Sequence, residues 1–373
     1  MKLKALLVVF ALTVLIPPEE LFAQTFQTGK IAISLSNFGR VRVIKDSLAG
    51  LRQIDRSSFL AAVNPNYVFS YLLSAAIEES SKTVSNPQLS DYELYCSLNN
   101  TYDTTGQSPN FWVKHNVYGW SGGGYVLVKF TIVSRETVER NTVLGMEIIP
   151  QVDGTYGLES IEYLPLSKII SIFRLPSSSF TGYKLLSHNL TSLTSIDWYA
   201  GYNSSNPNLF NWLTYGQIDT LFDSGGDGAV TFFSKAAENI IPGSTTVMWV
   251  GISVGNNESE MIANMLLAEQ KYNLLTSIES MSTLIPSDYV LGQNFPNPFN
   301  PETSIRFAIP KREFVSLRIF NSLGQEVALL LNKEMEAGTY DLKFDASELT
   351  SGVYFYSLYT GNFVQTKKMI LIR

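Results

Sequence analysis

Hydrophobic and polar residues alternate in short runs along most of the chain, and polar turns separate these runs. Two-residue alternation over four to eight positions is typical of half-buried β-strands, and many such runs separated by turns favour a sandwich. The pattern therefore predicts a large β-sandwich-like N-terminal domain of one or two lobes. The clearest runs lie at 29–39, 67–77, 111–120, 125–134, 142–149, 169–175, 194–199 and 245–254.

A helical pattern follows the last of these runs and closes the domain. Its apolar positions recur at three- or four-residue spacing: Met261, Met265, Ala268 and Tyr272. Asn257, with Glu260 three residues later, forms a capping pattern that predicts the helix start. After it the periodicity is lost, and the serine, threonine and proline content predicts a linker at 277–284.

From residue 285 onward the pattern changes to a proline-rich segment followed by regular alternation. Each proline fixes φ and removes a backbone donor, so no helix or central strand can pass through this segment. Phe295 and Phe299 are available to plug a core. The alternating runs lie at 305–309, 315–319, 326–331, 339–344, 353–359 and 364–372. About seven short strands at this spacing predict a small immunoglobulin-like sandwich.

The first residues have the pattern of a secretory signal. Two lysines precede an apolar run at 5–16, which is shorter than the roughly 20 residues that span a membrane, and two prolines end it. The small Ala23 suits a signal peptidase, so we expect cleavage between Ala23 and Gln24. The remaining sequence has no second long apolar run, and we therefore expect no transmembrane span in the mature chain.

Several motifs of the C-terminal region occur in a fixed order. NFPNPFNPETSIRFAIP is followed by LRIFNSLGQEV, AGTYDLKFDASELTSGVYFYSL and a final KKMILIR. In this order they resemble the C-terminal sorting domain of the type IX secretion system of gram-negative bacteria. The matching positions are Pro296, Asn297, Pro298, Asn300, Pro301, Gly324, Gly338, Gly352, Tyr354, Lys367 and Lys368.

This resemblance implies a β-sandwich at 285–373 that carries an unrelated passenger, here 24–276, across the outer membrane after removal of the signal peptide 1–23. The implied partners are the secretion machinery and a sortase, which commonly releases the passenger or attaches it to surface polysaccharide. The expected location is secreted or on the cell surface, reached through the periplasm. The alternative is an ordinary sandwich without a sorting role, related to a domain of flagellar hook-assembly proteins.

The central region has a weaker resemblance. Ile-Pro-Gly at 241–243, the run TTVMWVGISVG and a helix ending AEQKYN are similar to uncharacterised β-rich passengers that carry the same tail. Those relatives often have an Asp-rich strand end, whereas this chain has LGMEIIPQ with Glu147 as the only acid. The resemblance therefore implies architecture and no activity.

The proportion and distribution of charged residues limit the classes of partner that the protein could bind. Of the 373 residues 16% are charged, the net charge is −6, and lysines and arginines do not cluster. This balance argues against nucleic acid as a partner. The single Cys96 cannot form an internal disulfide and, within YELYCSL, is expected to be a buried small hydrophobe.

We found no motif for a cofactor or a metal. His115 and His188 are far apart and are expected to be structural. The loop DSGGDGA places Asp223 and Asp227 like the first half of a calcium loop, but its twelfth position is Ser234 instead of a bidentate Glu. A plain turn is therefore expected. P-loop, dinucleotide and GxSxG patterns are absent from the sequence.

Aromatic residues among Asn and Ser suggest contact with sugar rings. The candidate ligand aromatics are Trp198, Tyr199, Tyr202, Trp212 and Tyr215. Packing on the sheet face is the alternative interpretation. We favour a binding or structural passenger, directed at carbohydrate, over an enzyme. The alternative is a secreted glycan hydrolase, for which Glu159 with Glu162, or Asp197 with Asp219, could supply the carboxylate pair.

Overall fold

The computed structural model describes residues 23–103, 106–284, 288–361 and 363–372. In this part the chain forms 25 strands and three α-helices, which confirms the mainly β class. It separates into two compact units, Met1–Tyr272 and Asn273–Arg373. The predicted signal peptide lies outside the described residues except for Ala23, and Gln24 is the first residue of the first strand.

The strands of the first unit are β1 Gln24–Gln27, β2 Ile31–Leu35, β3 Val41–Lys45, β4 Arg52–Asn64, β5 Tyr67–Ser70, β6 Ala76–Thr83, β7 Tyr92–Asn99, β8 Phe111–Gly119, β9 Tyr125–Ser134, β10 Arg140–Pro150, β11 Ser160–Leu164, β12 Ile169–Phe173, β13 Phe180–Leu185, β14 Leu190–Asp197, β15 Leu221–Asp223, β16 Ala229–Lys235, β17 Glu238–Ile240 and β18 Thr245–Gly255. The helices of the chain are α1 Trp198–Gly201, α2 Asn206–Leu213 and α3 Glu258–Leu284.

Within the described residues, the strands of this unit form two nine-stranded antiparallel sheets. Sheet A has the order β1-β2-β3-β4-β10-β16-β14, with β5 paired to β4 and β17 to β10. Sheet B has the order β15-β11-β12-β13-β18-β9-β8-β7-β6. Because alternate side chains of a strand point to opposite faces, each sheet can present an apolar face to the other sheet. Phe59 and Met146 of sheet A and Val113 and Phe130 of sheet B belong to the same buried cluster. The predicted sandwich is confirmed.

The part of helix α3 that belongs to the first unit, up to Tyr272, covers the outer face of sheet B. Two strand glycines allow this close approach, since a Cβ at Gly182 would lie 2.4 Å from the sulfur of Met261, and one at Gly251 would lie 2.8 Å from that of Met265. The predicted cap is confirmed, because the amide of Glu260 donates to Oδ1 of Asn257 at 2.9 Å.

The same helix extends further than its pattern suggested. The sequence analysis ended it before residue 277, but the backbone remains helical to Leu284. Serine and threonine lower helix propensity without breaking a helix, and neither glycine nor proline occurs before Pro286. The predicted linker residues are therefore helical.

Helices α1 and α2 were not predicted and lie in the aromatic-rich stretch. The expected strand at 194–199 ends at Asp197, where α1 begins. Helix α2 has a proline in its first turn, and Leu209 and Leu213 are one turn apart. Both leucines pack with Leu60 and Phe232 on the outer face of sheet A. Sheet A is therefore apolar on both faces where α2 covers it.

The second unit is a small β-sandwich. Its strands are β19 Val290–Leu291, β20 Glu302–Ile309, β21 Glu313–Asn321, β22 Glu326–Met335, β23 Gly338–Asp345, β24 Gly352–Thr360 and β25 Phe363–Leu371. In the described residues they form a three-stranded sheet, β19-β20-β23, and a four-stranded sheet, β22-β21-β24-β25. Ile305 and Phe307 of the first and Leu317 and Tyr356 of the second share one core.

None of the helices in the described part of the chain is both long enough and apolar enough to cross a membrane.

Candidate functional site

The proline-rich segment of the second unit lies along the last strand. The amide of Phe299 donates to the carbonyl of Ile370, and the amide of Ile372 donates to the carbonyl of Phe299, both at 3.0 Å. The side-chain oxygen of Asn297 accepts from the amide of Ile370 at 2.9 Å. The first and last motifs of the resemblance therefore form one continuous structure, although about 70 residues separate them.

Tyr356 ties this segment to the sandwich core. Its hydroxyl is buried, donates to the carbonyl of Gly292 at 2.7 Å and accepts from the amide of Asn294 at 2.8 Å. The side chain of Asn294 in turn donates to the carbonyl of Pro296 and to the hydroxyl of Thr303, both at 3.0 Å. The peptide bonds before Pro296 and Pro298 are cis. Sequence reasoning did not identify Tyr356 or Asn294 as residues of this motif.

The matched motif positions divide into structural and exposed residues. Phe299 is buried, as expected, but the prediction that Phe295 also plugs the core is wrong, because its side chain is 81% exposed. Tyr354 donates to the carbonyl of Thr350 at 2.8 Å. Gly324 has a φ of +77° in the turn between β21 and β22, a conformation that suits glycine.

The other motif residues lie at the surface or at strand starts. Gly338 and Gly352 begin β23 and β24. Lys367 and Lys368 lie on β25, half-buried and exposed, respectively. The exposed positions of the proline-rich segment are Pro296, Asn297, Pro298 and Asn300, and Pro301 is half-buried.

In the first unit, a buried ion pair lies on the outer face of sheet A. The register pairs Arg56 of β4 with Ile149 of β10, and Ser58 with Glu147, so Arg56 and Glu147 are diagonal neighbours on one face. Nη2 of Arg56 lies 3.4 Å from Oε1 of Glu147, and the two side chains are 12% and 1% exposed. Buried charges persist only when they are paired, so this arrangement keeps both groups on the sheet face.

Aromatic rings surround this ion pair. The guanidinium carbon of Arg56 lies 5.0 Å from the ring centroid of Tyr71, and that of Arg40 lies 5.4 Å from the same centroid. Both distances fit cation–π contacts. Burial raises the pKa of Tyr71 to about 12. Burial lowers the pKa of Arg56, but Glu147 and the tyrosines outweigh it and raise that pKa overall, so Arg56 stays charged.

Two polar groups of the cluster are buried without partners. Nε of Arg56 and the hydroxyl of Tyr202 have no hydrogen-bond partner among the described residues. Burial and the neighbouring Glu147 raise the pKa of Tyr202, so its hydroxyl remains a donor. Buried polar groups are nearly always satisfied in folded proteins, and the exceptions are where a ligand or water is expected. We call Arg40, Arg56, Tyr71, Glu147 and Tyr202 the arginine–tyrosine cluster.

The predicted ligand aromatics are only partly brought together. Tyr202 stacks on Trp212 with centroids 6.0 Å apart, and Trp212 stacks on Phe232 at 4.7 Å. Trp198 instead meets the edge of Tyr156 at 5.0 Å. Tyr215 is exposed beyond the end of α2, and the side chain of Tyr199 lies outside the described residues. Tyr202 is thus the predicted aromatic that joins the arginine–tyrosine cluster.

One member of each carboxylate pair considered for a hydrolase accepts structural hydrogen bonds. Glu159 is fully buried, and its oxygens accept from Arg174, Ser224 and the amide of Gly157, each at 3.0 Å. This carboxylate holds the 224–228 loop in place.

Asp197 is engaged elsewhere, because its Oδ1 accepts from the amide of Gly225 at 2.9 Å.

The remaining candidate residues have structural surroundings. Cys96 is buried in the core, as expected, and pairs across the strands with His115. Burial lowers the pKa of His115 to about 4, so it is neutral at pH 7. Asp223 accepts from the hydroxyl of Ser160 at 2.6 Å. A search of the described residues shows no group of three or more His, Cys, Asp or Glu side chains that could hold a metal ion.

Comparison with known proteins identifies the second unit. Residues 293–372 match the family described as the secretion system C-terminal sorting domain. This is the type IX sorting domain of the resemblance, and it implies interaction with the type IX secretion machinery and export to the cell surface or beyond. The comparison with curated proteins found no match.

Comparison with solved structures gave a likeness of fold to a glucoamylase and several weaker alignments. A bacterial glucoamylase complexed with acarbose aligns with a TM-score of 0.51 and 10% identity over 69% of this chain and 36% of its own. A polysaccharide lyase aligns with a TM-score of 0.33 and 6% identity over 94% of this chain and 46% of its own. A galactose mutarotase related enzyme from Lactobacillus acidophilus aligns with a TM-score of 0.37 and 7% identity over 63% of this chain and 98% of its own.

These likenesses have a limited meaning. The chain spans less than half the length of the glucoamylase and of the lyase, at 36% and 46%. At 10% identity the glucoamylase likeness shows a shared fold and nothing about activity. The other two TM-scores are too low to carry an argument.

Proposed function

We propose, from the premise that residues 293–372 are a type IX secretion C-terminal sorting domain, that the first unit is an exported passenger that binds carbohydrate. In this proposal a signal peptide, 1–23, is removed before Gln24. The passenger is 24–276, the sorting domain is 285–373, and the helical residues 277–284 connect them. A sortase then cleaves the tail and either releases the passenger or attaches it to surface polysaccharide.

The immunoglobulin-like character of the tail is part of the same proposal. Tyr354 lies near the start of β24 and donates to a carbonyl four residues upstream. Immunoglobulin-type sandwiches contain a tyrosine corner of this kind. That hydrogen bond supports the finer assignment within the β-sandwich class.

The observation that carries the carbohydrate proposal is the pair of unsatisfied buried donors, Arg56 Nε and the Tyr202 hydroxyl, beside the Tyr71 and Trp212 rings. Sugar sites combine rings that pack on C–H faces with a few fixed polar groups that bind hydroxyls. A saccharide hydroxyl at this position would satisfy donors that the protein leaves without acceptors. The fold shared with a bacterial glucoamylase agrees with the proposal without supplying evidence of activity.

Tyr202→Phe provides the test. Because the hydroxyl makes no hydrogen bond of normal geometry among the described residues, although it lies close to Glu147, removing it should change the free energy of unfolding by less than about 1 kcal/mol. A ligand hydrogen bond to that hydroxyl is worth about 1 kcal/mol, so Kd for a bound glycan should rise about fivefold. The control is Tyr215→Phe, which removes an exposed hydroxyl outside the cluster.

The measurement is glycan-array binding by the full chain, followed by titration of the glycans that bind and by assay for release of sugar. Binding without release, weakened by Tyr202→Phe alone, supports the proposal. Release of sugar would favour the glycan hydrolase alternative. Failure to bind any glycan would refute a carbohydrate-directed passenger.

A further inference from the structure

Two pockets of the first unit share Tyr102 as a lining residue. Their volumes are about 470 and 400 Å³, and both lie within the range of small-ligand sites. We call the larger one the amide pocket, because its lining includes Asn66, Gln107 and Asn206. We call the other the aromatic pocket, because its lining includes Phe38 and Tyr71.

The amide pocket holds polar groups in fixed positions. The side chains of Asn66 and Gln107 are exposed, and each amide offers both donors and an acceptor. The backbone carbonyl of Gln107 accepts from the amide of Val68 at 3.1 Å and from Nδ2 of Asn206 at 3.0 Å. These bonds anchor the backbone at Gln107 while its side chain stays accessible to a ligand.

Asn206 adds an acceptor whose orientation is determined. Because only the amide nitrogen can donate to the Gln107 carbonyl, the amide oxygen cannot be the atom that faces it. That oxygen is buried and makes no hydrogen bond among the described residues. In the arginine–tyrosine cluster the groups without a hydrogen bond are donors instead, Nε of Arg56 and the hydroxyl of Tyr202. A ligand that bears hydroxyls can satisfy both kinds of group, whereas an anion can only accept.

An apolar surface leads from one pocket to the other. Tyr102 is 69% exposed, and in the turn after β5 Leu72 and Leu73 are 42% and 39% exposed. Leu72 lines the aromatic pocket and Leu73 the amide pocket. Tyr71 belongs to both the aromatic pocket and the arginine–tyrosine cluster. Exposed apolar side chains between polar groups are typical of ligand-binding grooves, and sugar rings pack their C–H faces on such aromatic rings.

We infer that the ligand of the first unit is an oligosaccharide that lies across Tyr102, with one sugar ring packed in the aromatic pocket and another hydrogen-bonded in the amide pocket. A single sugar occupies the aromatic pocket, which adjoins the arginine–tyrosine cluster, and gains only part of these contacts. This inference specifies the ligand of the carbohydrate binding that we proposed above and rests on that proposal.

The test uses calorimetric titration of the full chain with cello-, malto-, manno-, xylo- and galacturono-oligosaccharides, each as a length series from the monosaccharide to the hexasaccharide. In a series that binds, Kd should fall about tenfold or more between the monosaccharide and the first length that reaches both pockets. It should then level off, because additional units make no further contacts. The gain arises because one molecule makes both sets of contacts.

Gln107→Ala removes one amide of the amide pocket. Since it deletes a hydrogen bond to the longer ligands alone, it should raise Kd for the hexasaccharide about fivefold and leave Kd for the monosaccharide unchanged. Gln88→Ala is the matched control, because Gln88 is an exposed glutamine of the same unit outside the described lining of both pockets.

A second variant keeps the inference testable if Gln107→Ala does not fold. Tyr102→Ala removes an exposed ring, so the thermal unfolding midpoint should stay the same. It should weaken hexasaccharide binding about threefold to tenfold and reduce the gain in affinity with chain length.

Affinity that rises with chain length, and that is lowered by Gln107→Ala but not by Gln88→Ala, supports the inference. Monosaccharides that bind as tightly as hexasaccharides would overturn it and leave carbohydrate binding intact. A length dependence that neither Gln107→Ala nor Tyr102→Ala alters would also overturn it, since the chain would then lie elsewhere. If no series binds at any length, the proposed function itself fails.

Discussion

Replacement of Tyr356 by phenylalanine tests whether the proline-rich segment is held to the sorting domain as the structure indicates. The substitution keeps the buried ring and removes one oxygen, which bonds to Gly292 and Asn294 at 2.7 and 2.8 Å. The ring contacts in the core should be retained. Any effect therefore comes from those two hydrogen bonds.

The expected loss follows from the burial of the groups involved. A typical hydrogen bond contributes about 1 kcal/mol, and a buried donor left without an acceptor costs about 1–3 kcal/mol. Asn294 is buried, so its amide would have no acceptor after the substitution. We expect local destabilisation of about 2–3 kcal/mol, which corresponds to a roughly 30- to 150-fold increase in local opening.

Amide hydrogen exchange measures this opening directly. Residues 291–299 and 363–371 should exchange roughly 30- to 150-fold faster in Tyr356→Phe. All five tryptophans lie in the first unit, so the unfolding transition followed by tryptophan fluorescence should not change.

The control is Tyr359→Phe, which removes the hydroxyl of an exposed tyrosine on the same strand, three residues after Tyr356. It should leave exchange unaltered. If Tyr356→Phe exchanges no faster than Tyr359→Phe, the hydroxyl does not hold the segment and our account of the motif is wrong.

Four further predictions concern the rest of the chain. A Cβ on Gly145 would lie 2.2 Å from a carbonyl oxygen of the adjacent strand, so Gly145→Ala should lower the free energy of unfolding by about 1–3 kcal/mol in urea titrations, whereas Gly226→Ala, which meets nothing within 4 Å, should be neutral. The pKa of His115 falls from 6.5 to about 4 on folding, so between these pH values the unfolded chain binds a proton that the folded chain does not. The free energy of unfolding should therefore fall by up to about 3 kcal/mol as the pH drops from 6.5 to 4. His115→Leu should remove this contribution to the pH dependence of stability. Terminal sequencing of the exported protein should begin at Gln24, and a chain that starts at Met1 would contradict the predicted signal. Calcium should not raise the melting temperature, whereas a calcium-dependent rise abolished by Asp227→Ala would show that the loop is a site.

Local sequence patterns were sufficient for much of the fold. The strand pattern predicted β8, β9 and β18 and the strands of the second unit, but it did not predict β4, β13 or β16. Every residue of β16 is buried, so that strand has no two-residue alternation to detect. The Asn257 cap was predictable because it involves residues only three positions apart. The burial of Cys96 was expected because it lies on a probable strand, and that of Phe299 because it is an aromatic residue at the entry to the sandwich.

The features that the sequence did not reveal depend on register or on length. Arg56 and Glu147 are 91 residues apart, and Tyr356 and Asn294 are 62 apart. Only the pairing of particular strands brings them together, and alternation does not determine which strands pair. Helix α2 has two turns, too few for its period to stand out among asparagines and aromatic residues.

Export is the central claim, and one measurement tests it most directly. A fluorescent reporter is fused behind a signal peptide to residues 285–373, to no tail, or to a tail truncated from Lys367, and is produced in a bacterium that has type IX secretion. The truncation removes most of β25, which bonds to Phe299 and Asn297. The account predicts reporter outside the cells for the full tail alone, with the other two retained in the periplasm. Equal amounts outside the cells for all three fusions would contradict the sorting role.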